Sequence, residues 1–183
     1  MRPFTSTEEM DETMVERWNS VVGPEDRVFH LGDVVMNKRY IPVLERLNGD
    51  KHLIIGNHDI HHLDKLSPHF TTMTAMRIVK GIVFTHFPVH PSQLPRFGTN
   101  VHGHLHDARV QVETPADRAE DMEWVLDPRY HSVCVEHTNY TPVSIEELRV
   151  RIEQEQEASK DDLPEMYDQM KGNKSWGNGS GPG

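Results

Sequence analysis

Along residues 6–22 (STEEMDETMVERWNSVV) apolar positions recur at spacings of three and four, placing Met10, Met14, Val15 and Trp18 on one stripe. Ser6 with Glu9 makes a capping box ahead of it, and Gly23-Pro24 follows, so the stretch predicts a helix with both ends marked. The period then shortens. DRVFHLGD predicts a buried strand over residues 28–31 that runs into a loop at Gly32-Asp33. A second helix is expected over residues 40–47, followed by Asn48-Gly49, the strand HLII (residues 52–55) and the loop GNHD. Strand, helix and strand in that order predict a βαβ crossover and a mostly parallel inner sheet. MTAMRIV (73–79), the turn Lys80-Gly81 and IVFTHFP (82–88) predict a hairpin.

NVHGHLH (100–106) reads as a further strand, whose alternation would point His102, His104 and His106 to one side unless Gly103 redirects them. PADRAEDMEW (115–124) is expected to be a polar looped insertion, and YHSVCVEH (130–137) a strand. Ser144 with Glu147 caps a last helix over residues 145–157. From Ser159 the chain turns acidic and then Gly-rich, which predicts one domain over residues 1–158 and a flexible tail over 159–183. The fold class is α/β.

Position matters more than any single motif. Asp33, Asn57, His86 and the HGHLH histidines each sit at or just beyond the end of a strand-like run. In open α/β sheets the carboxyl ends of strands are where sites assemble. Composition sharpens this, because many of the 13 histidines concentrate in HLGD, GNHDIHH, THFPVH and HGHLH. The net charge of −10 opposes an extended nucleic-acid surface, which needs clustered Lys and Arg, but leaves room for a small phosphate-bearing substrate. Cys134 is the single cysteine, which suits a reducing compartment, and no apolar run reaches the roughly 18–20 residues of a membrane span. A cytoplasmic protein is the expectation.

The donor set is one carboxylate (Asp33), one amide oxygen (Asn57) and the imidazoles His86, His104 and His106. With no thiolate among them, the set suits divalent first-row metals. A carboxylate can bridge two ions about 3.5–4 Å apart, the arrangement of two-metal hydrolases. His58 is then expected to act on substrate, hydrogen-bonding a phosphate or protonating the leaving oxygen, with Asp59 orienting it. His30 and His102 flank the ligands and are expected to support them from behind. His61, His62, His69 and His90 read as solvated loop histidines, with a place on the fringe of the substrate cleft as the alternative. Two rival readings stand beside this one. An HxHxH nucleophile reading explains HGHLH and leaves Asp33 and GNHD unexplained. A non-catalytic binding or scaffold module would keep the site as a relic.

The ordered series Gly32-Asp33, GNHD (56–59), strand-end His86 and GHLH (103–106) resembles the calcineurin-like metallophosphoesterase family, over roughly residues 26–140. The closing PVSIEEL resembles small bacterial and phage members. The resemblance implies a β-sandwich flanked by helices, with two divalent ions at one rim. Manganese is the expected metal, with iron, zinc, nickel and magnesium as alternatives. It implies that Asp33 bridges the ions, that Asn57, His86 and His104 hold the second ion, and that His106 helps hold the first. It also implies hydrolysis of a phosphomonoester or phosphodiester. The family opens with a strand ending in Asp-x-His, and this chain carries no such motif ahead of Gly32-Asp33. The expectation is therefore that the first strand, with its connection, lies upstream of the start given or is lacking. The incomplete ion site and open sheet edge that follow point to a homo-oligomer, a strand-donating partner or an impaired enzyme.

Overall fold

In the computed structural model, residues 3–114 and 122–163, with Glu165 and Asp168, are described. Helix α1 (Thr7–Val21) forms where the apolar stripe predicts it. The Ser6 hydroxyl accepts the Glu9 amide at 3.0 Å, while the Glu9 carboxylate reaches past Ser6 to the Thr5 amide at 2.7 Å. The Trp18 indole N–H donates to the Asn48 carbonyl at 2.9 Å, which ties the helix to the turn entering the second strand.

Strands β1 (Arg27–His30), β2 (Asp50–Ile54) and β3 (Thr72–Thr74) pair in parallel in that order, with Arg27 opposite Asp50 and His52 opposite Thr72. The parallel crossover is as expected, but the helix between β1 and β2 is a 3₁₀ helix, Lys38–Arg46. Pro42 accounts for the difference. It lacks the N–H that an α-helical bond to the Lys38 carbonyl needs, and its ring crowds that carbonyl.

A second sheet runs β4 (Met76–Val79), β5 (Ile82–Thr85), β6 (Asn100–His102) and β9 (Tyr130–Ser132), antiparallel for the first pair and parallel thereafter. The β4–β5 hairpin turns at Lys80 (φ 47°) and Gly81 (φ 78°), the left-handed pair that a two-residue type I′ turn requires. Met73 and Thr74, expected as part of that hairpin, lie in β3 and pair with β2 instead, so the chain changes sheets at Ala75. The strand expected over 130–137 stops at Ser132 and continues as a 3₁₀ turn, Val135–His137. Strands β7 (Gln111–Glu113) and β8 (Trp124–Leu126) form a separate antiparallel ribbon; β8 takes in Trp124 from the end of the expected looped insertion, of which residues 115–121 lie outside the described residues.

The molecule is a mixed α/β protein with several sheets. Adjacent residues of β2 face opposite ways, as strand alternation dictates. After the short helices α2 (Leu63–Leu66) and α3 (Leu94–Phe97) comes α4 (Ile145–Ala158), whose Leu148 and Ile152 seal a cluster of Ile54, Ile82, Phe84 and Val101 shared by both sheets. Leu53 packs on the other side with Ile41, Leu44, Leu66 and Phe70. The α4 capping box forms fully between Ser144 and Glu147. Buried Leu163 extends the packed chain past Ala158, and most of the expected tail lies outside the described residues. Among the described residues no helix is long and apolar enough to cross a membrane.

Candidate metal centre

Four loops leave the carboxyl ends of β1, β2, β5 and β6 and deliver Asp33, Asn57, His86 and His104 to one rim. Asp33, His86 and His104 each present a donor atom within 4.8 Å of the others. The His86 Nε2 lies 3.0 Å from the Asn57 Oδ1 and 3.4 Å from the Asp33 Oδ2. On its far side, the His86 Nδ1–H donates to the Leu31 carbonyl at 2.7 Å. That bond places the proton of a neutral ring on Nδ1, so Nε2 turns a lone pair toward two oxygens that are also acceptors. Three acceptors facing one another repel unless a cation, a second proton or a metal ion, lies among them or the Asn57 amide turns its NH2 inward.

The backbone is bent to make this convergence. Among the described residues, Asp33 (φ 55°), His104 (φ 67°) and His106 (φ 53°) are three of six non-glycine residues in the left-handed region. Such conformations cost on the order of 1 kcal/mol or more each and gather at functional sites. Gly32 (φ 91°) and Gly56 sit where the loops touch. A Cβ on Gly32 would come within 2.5 Å of the His86 Nδ1, and one on Gly56 within 2.5 Å of the Asp33 amide nitrogen. Burial, and then the neighbouring His86 imidazole, hold His104 below the ordinary histidine range, which favours the neutral form a metal ligand needs.

Asp59 does not orient His58. It is fully buried, and its carboxylate accepts three amides at 2.8 Å, those of Asp33, Val34 and Gly56. A buried carboxylate needs this many donors, and the tight Gly32-Asp33 turn leaves amides with no ladder partner. Asp59 is thus a positioning residue that buckles the second loop to the first. His58 donates its amide to the Asp33 Oδ1 at 2.9 Å, and its imidazole stands exposed at the rim.

HGHLH does not continue as a strand. Strand β6 ends at His102, the Gly103 amide turns to the His86 carbonyl at 3.1 Å, and His104 and His106 adopt left-handed turns. His104 joins Asp33 and His86, whereas the His106 side chain is 70% exposed, with its Nδ1 3.7 Å from the Glu136 Oε1. His102 is buried beside Tyr130 and donates from Nδ1 to the Gly103 carbonyl at 2.8 Å. Burial first of all pushes its imidazole down to about 4. His30 supports the first loop, its Nδ1 accepting the Gly32 amide at 3.2 Å, and burial lowers it as well.

Residues that sequence reasoning missed hold the loop after β5. The Asn100 side chain is buried, donating to the Val83 carbonyl and the Thr85 hydroxyl and accepting the Val89 amide at 2.9 Å. The Tyr130 hydroxyl donates to the Val89 carbonyl at 2.7 Å from the other side. Phe87, 48% exposed, packs its ring 4.3 Å from that of His104. A buried asparagine at the start of a strand carries no local sequence signal for this role.

No protein-family model matches the chain. The uncharacterized protein MJ1445 of Methanocaldococcus jannaschii is 32% identical over 152 residues, 79% of this chain and 76% of that one. The Gene 66 protein of Mycobacterium phage L5 is 43% identical over 60 residues, 30% of this chain and 29% of its own. The crystal structure of AQ665, a protein of unknown function from Aquifex aeolicus, superposes with a TM-score of 0.58 at 22% identity, covering 81% of this chain and 88% of that one. At that identity the likeness concerns the fold.

Proposed function

We propose that this chain, which belongs to the family of the Methanocaldococcus jannaschii protein MJ1445, is a metal-dependent phosphoester hydrolase with a calcineurin-like β-sandwich. The observation that carries the reading is the meeting of the His86 Nε2 lone pair with the Asp33 and Asn57 oxygens, beside His104. Mixed carboxylate, amide and imidazole donors fit Mn²⁺, with iron, zinc, nickel or magnesium as alternatives. Asn57, His86 and His104 would hold one ion, and Asp33 would be shared with a second ion, for which His106 is the other candidate ligand. Divalent ions there would neutralise charge on the phosphoryl group and lower the pKa of a bound water. His58, exposed beside Asp33, donates to a phosphoryl oxygen or protonates the leaving oxygen. Asp59, His30 and the two glycines hold the loops in register.

A second reading is a metal-binding protein without turnover. The outward position of His106, near Glu136, favours it, because Asp33 and His106 then leave the second ion too few ligands. Among the described residues β1 has one unpaired edge in its sheet, where a strand-donating partner or a second copy would add. Hydrolysis of bis(p-nitrophenyl) phosphate and p-nitrophenyl phosphate with and without Mn²⁺ tests the proposal. Mn²⁺-dependent release of p-nitrophenol from either substrate, abolished in Asp33→Ala, supports hydrolysis. Ion uptake without turnover supports the second reading, and release independent of metal rejects both.

A further inference from the structure

A shallow, open cleft of about 410 Å³ lies between the chain at Met36 to Lys38 and the turn that carries His61, His62, Asp64 and Lys65. Clefts of roughly 300–1,000 Å³ accept small molecules. One wall carries Met36 and Lys38, and the other carries His61, His62, Asp64 and Lys65. In a chain of net charge −10, this places two ammonium groups and two imidazoles against a single carboxylate. Lys38 and Lys65 make no ion pair or hydrogen bond with any described residue, and both are exposed. Their charge is therefore unspent within the protein.

Two short stretches of chain lead from the metal rim to the cleft. The 3₁₀ turn Asp59–His62 starts at His58, so His62 stands about 8 Å further along at the roughly 2 Å rise of such a turn. The Asp59 carboxylate ties the foot of that turn to Asp33 and Val34, the residues that lead into Met36 and Lys38. Both walls thus hang from the same buckle that orders the rim.

We propose that this cleft is an anion subsite, and that the substrate carries a second phosphoryl group seated between Lys38, Lys65 and the His61–His62 pair while its ester group lies at the rim. The inference rests on the reading of the rim as a phosphoester site, and it narrows the substrate class to small molecules bearing two phosphoryl groups. Lysine ammonium groups suit this task, since a terminal phosphoryl group offers several acceptor oxygens and more than one negative charge.

The test is a titration of the full chain, free of metal and at constant ionic strength, with inorganic pyrophosphate, followed by NMR of the histidine ring protons. His61→Gln and His62→Gln assign the two signals. Saturable shifts of both are expected, with affinity reduced at least about tenfold in the doubly substituted Lys38→Ala/Lys65→Ala chain and an unchanged thermal melt. No saturable shift, shifts confined to His58 and His104, or equal affinity in the double variant would overturn the proposal. Because no metal is present, this result stands apart from metal uptake at Asp33, where a failure would remove the hydrolase reading instead.

Discussion

The Asp59 carboxylate accepts the Asp33 amide at 2.8 Å across 26 residues of sequence, and this contact ties the GNHD loop to the Gly32-Asp33 loop. Asp59→Ala would leave three amides without a partner, that of Gly56 buried and those of Asp33 and Val34 half-buried. The expected cost is about 3 kcal/mol or more, read as a lower urea midpoint, together with weakened Mn²⁺ binding. An unfolding free energy unchanged within about 0.5 kcal/mol would show that the buckle does not matter.

Gly56 is where the two loops press together, and an added Cβ there would overlap the Asp33 side chain. Gly56→Ala is expected to reduce Mn²⁺ affinity at least about tenfold and to destabilise the fold by about 1–3 kcal/mol. Calorimetric titration reads the affinity. Gly23→Ala, whose Cβ would come only to 3.3 Å from the Asp26 carboxylate, serves as the control and should leave Mn²⁺ binding unchanged.

His58 touches the centre through its backbone and leaves its imidazole exposed. His58→Ala should therefore lower phosphoester turnover by about 10²–10⁴-fold while ion content per chain stays constant. Proportional loss of ion and turnover would make His58 a ligand.

Glu155 on α4 accepts from His131 at 2.7 Å and from Arg109 at 2.9 Å. Burial alone would raise its carboxyl, but the His131 hydrogen bond and charge, with Arg109, draw it down to about 2. A carboxyl lowered in the folded state stabilises above its unfolded value near 4.5 and loses that contribution as pH falls toward 2. Glu155→Gln should cost about 2 kcal/mol at neutral pH, discounted for the 29% of the side chain left in solvent. The gap between native and variant urea midpoints should narrow as pH falls below about 4.5. A gap that is constant from pH 7 to 3 would assign the effect to packing.

What was legible in the sequence was whatever local chemistry determines. Ser144 and Glu147 announce α4 because a capping box needs only neighbours. Asp33, Asn57, His86 and His104 were legible because each follows a short apolar run, and parallel pairing brings the ends of those runs together. The role of Asp59 was not legible, since its three partners come from two loops that meet only in the folded chain. HGHLH misled because period-two spacing is equally available to turns, and Gly103 ends the ladder after His102. The β7–β8 ribbon was missed because its strands have three residues each and expose Trp124 and Leu126. Pro42 was a signal in plain sight that turned an expected α-helix into a 3₁₀ helix.

The central claim is that Asp33, Asn57, His86 and His104 form a metal site. Titrating Mn²⁺ into the metal-free chain, beside His104→Ala, tests it most directly. The account predicts saturable uptake of at least about one ion per native chain, and its loss in the variant with an unchanged circular dichroism spectrum. No uptake by the native chain, or equal uptake by both, would contradict it.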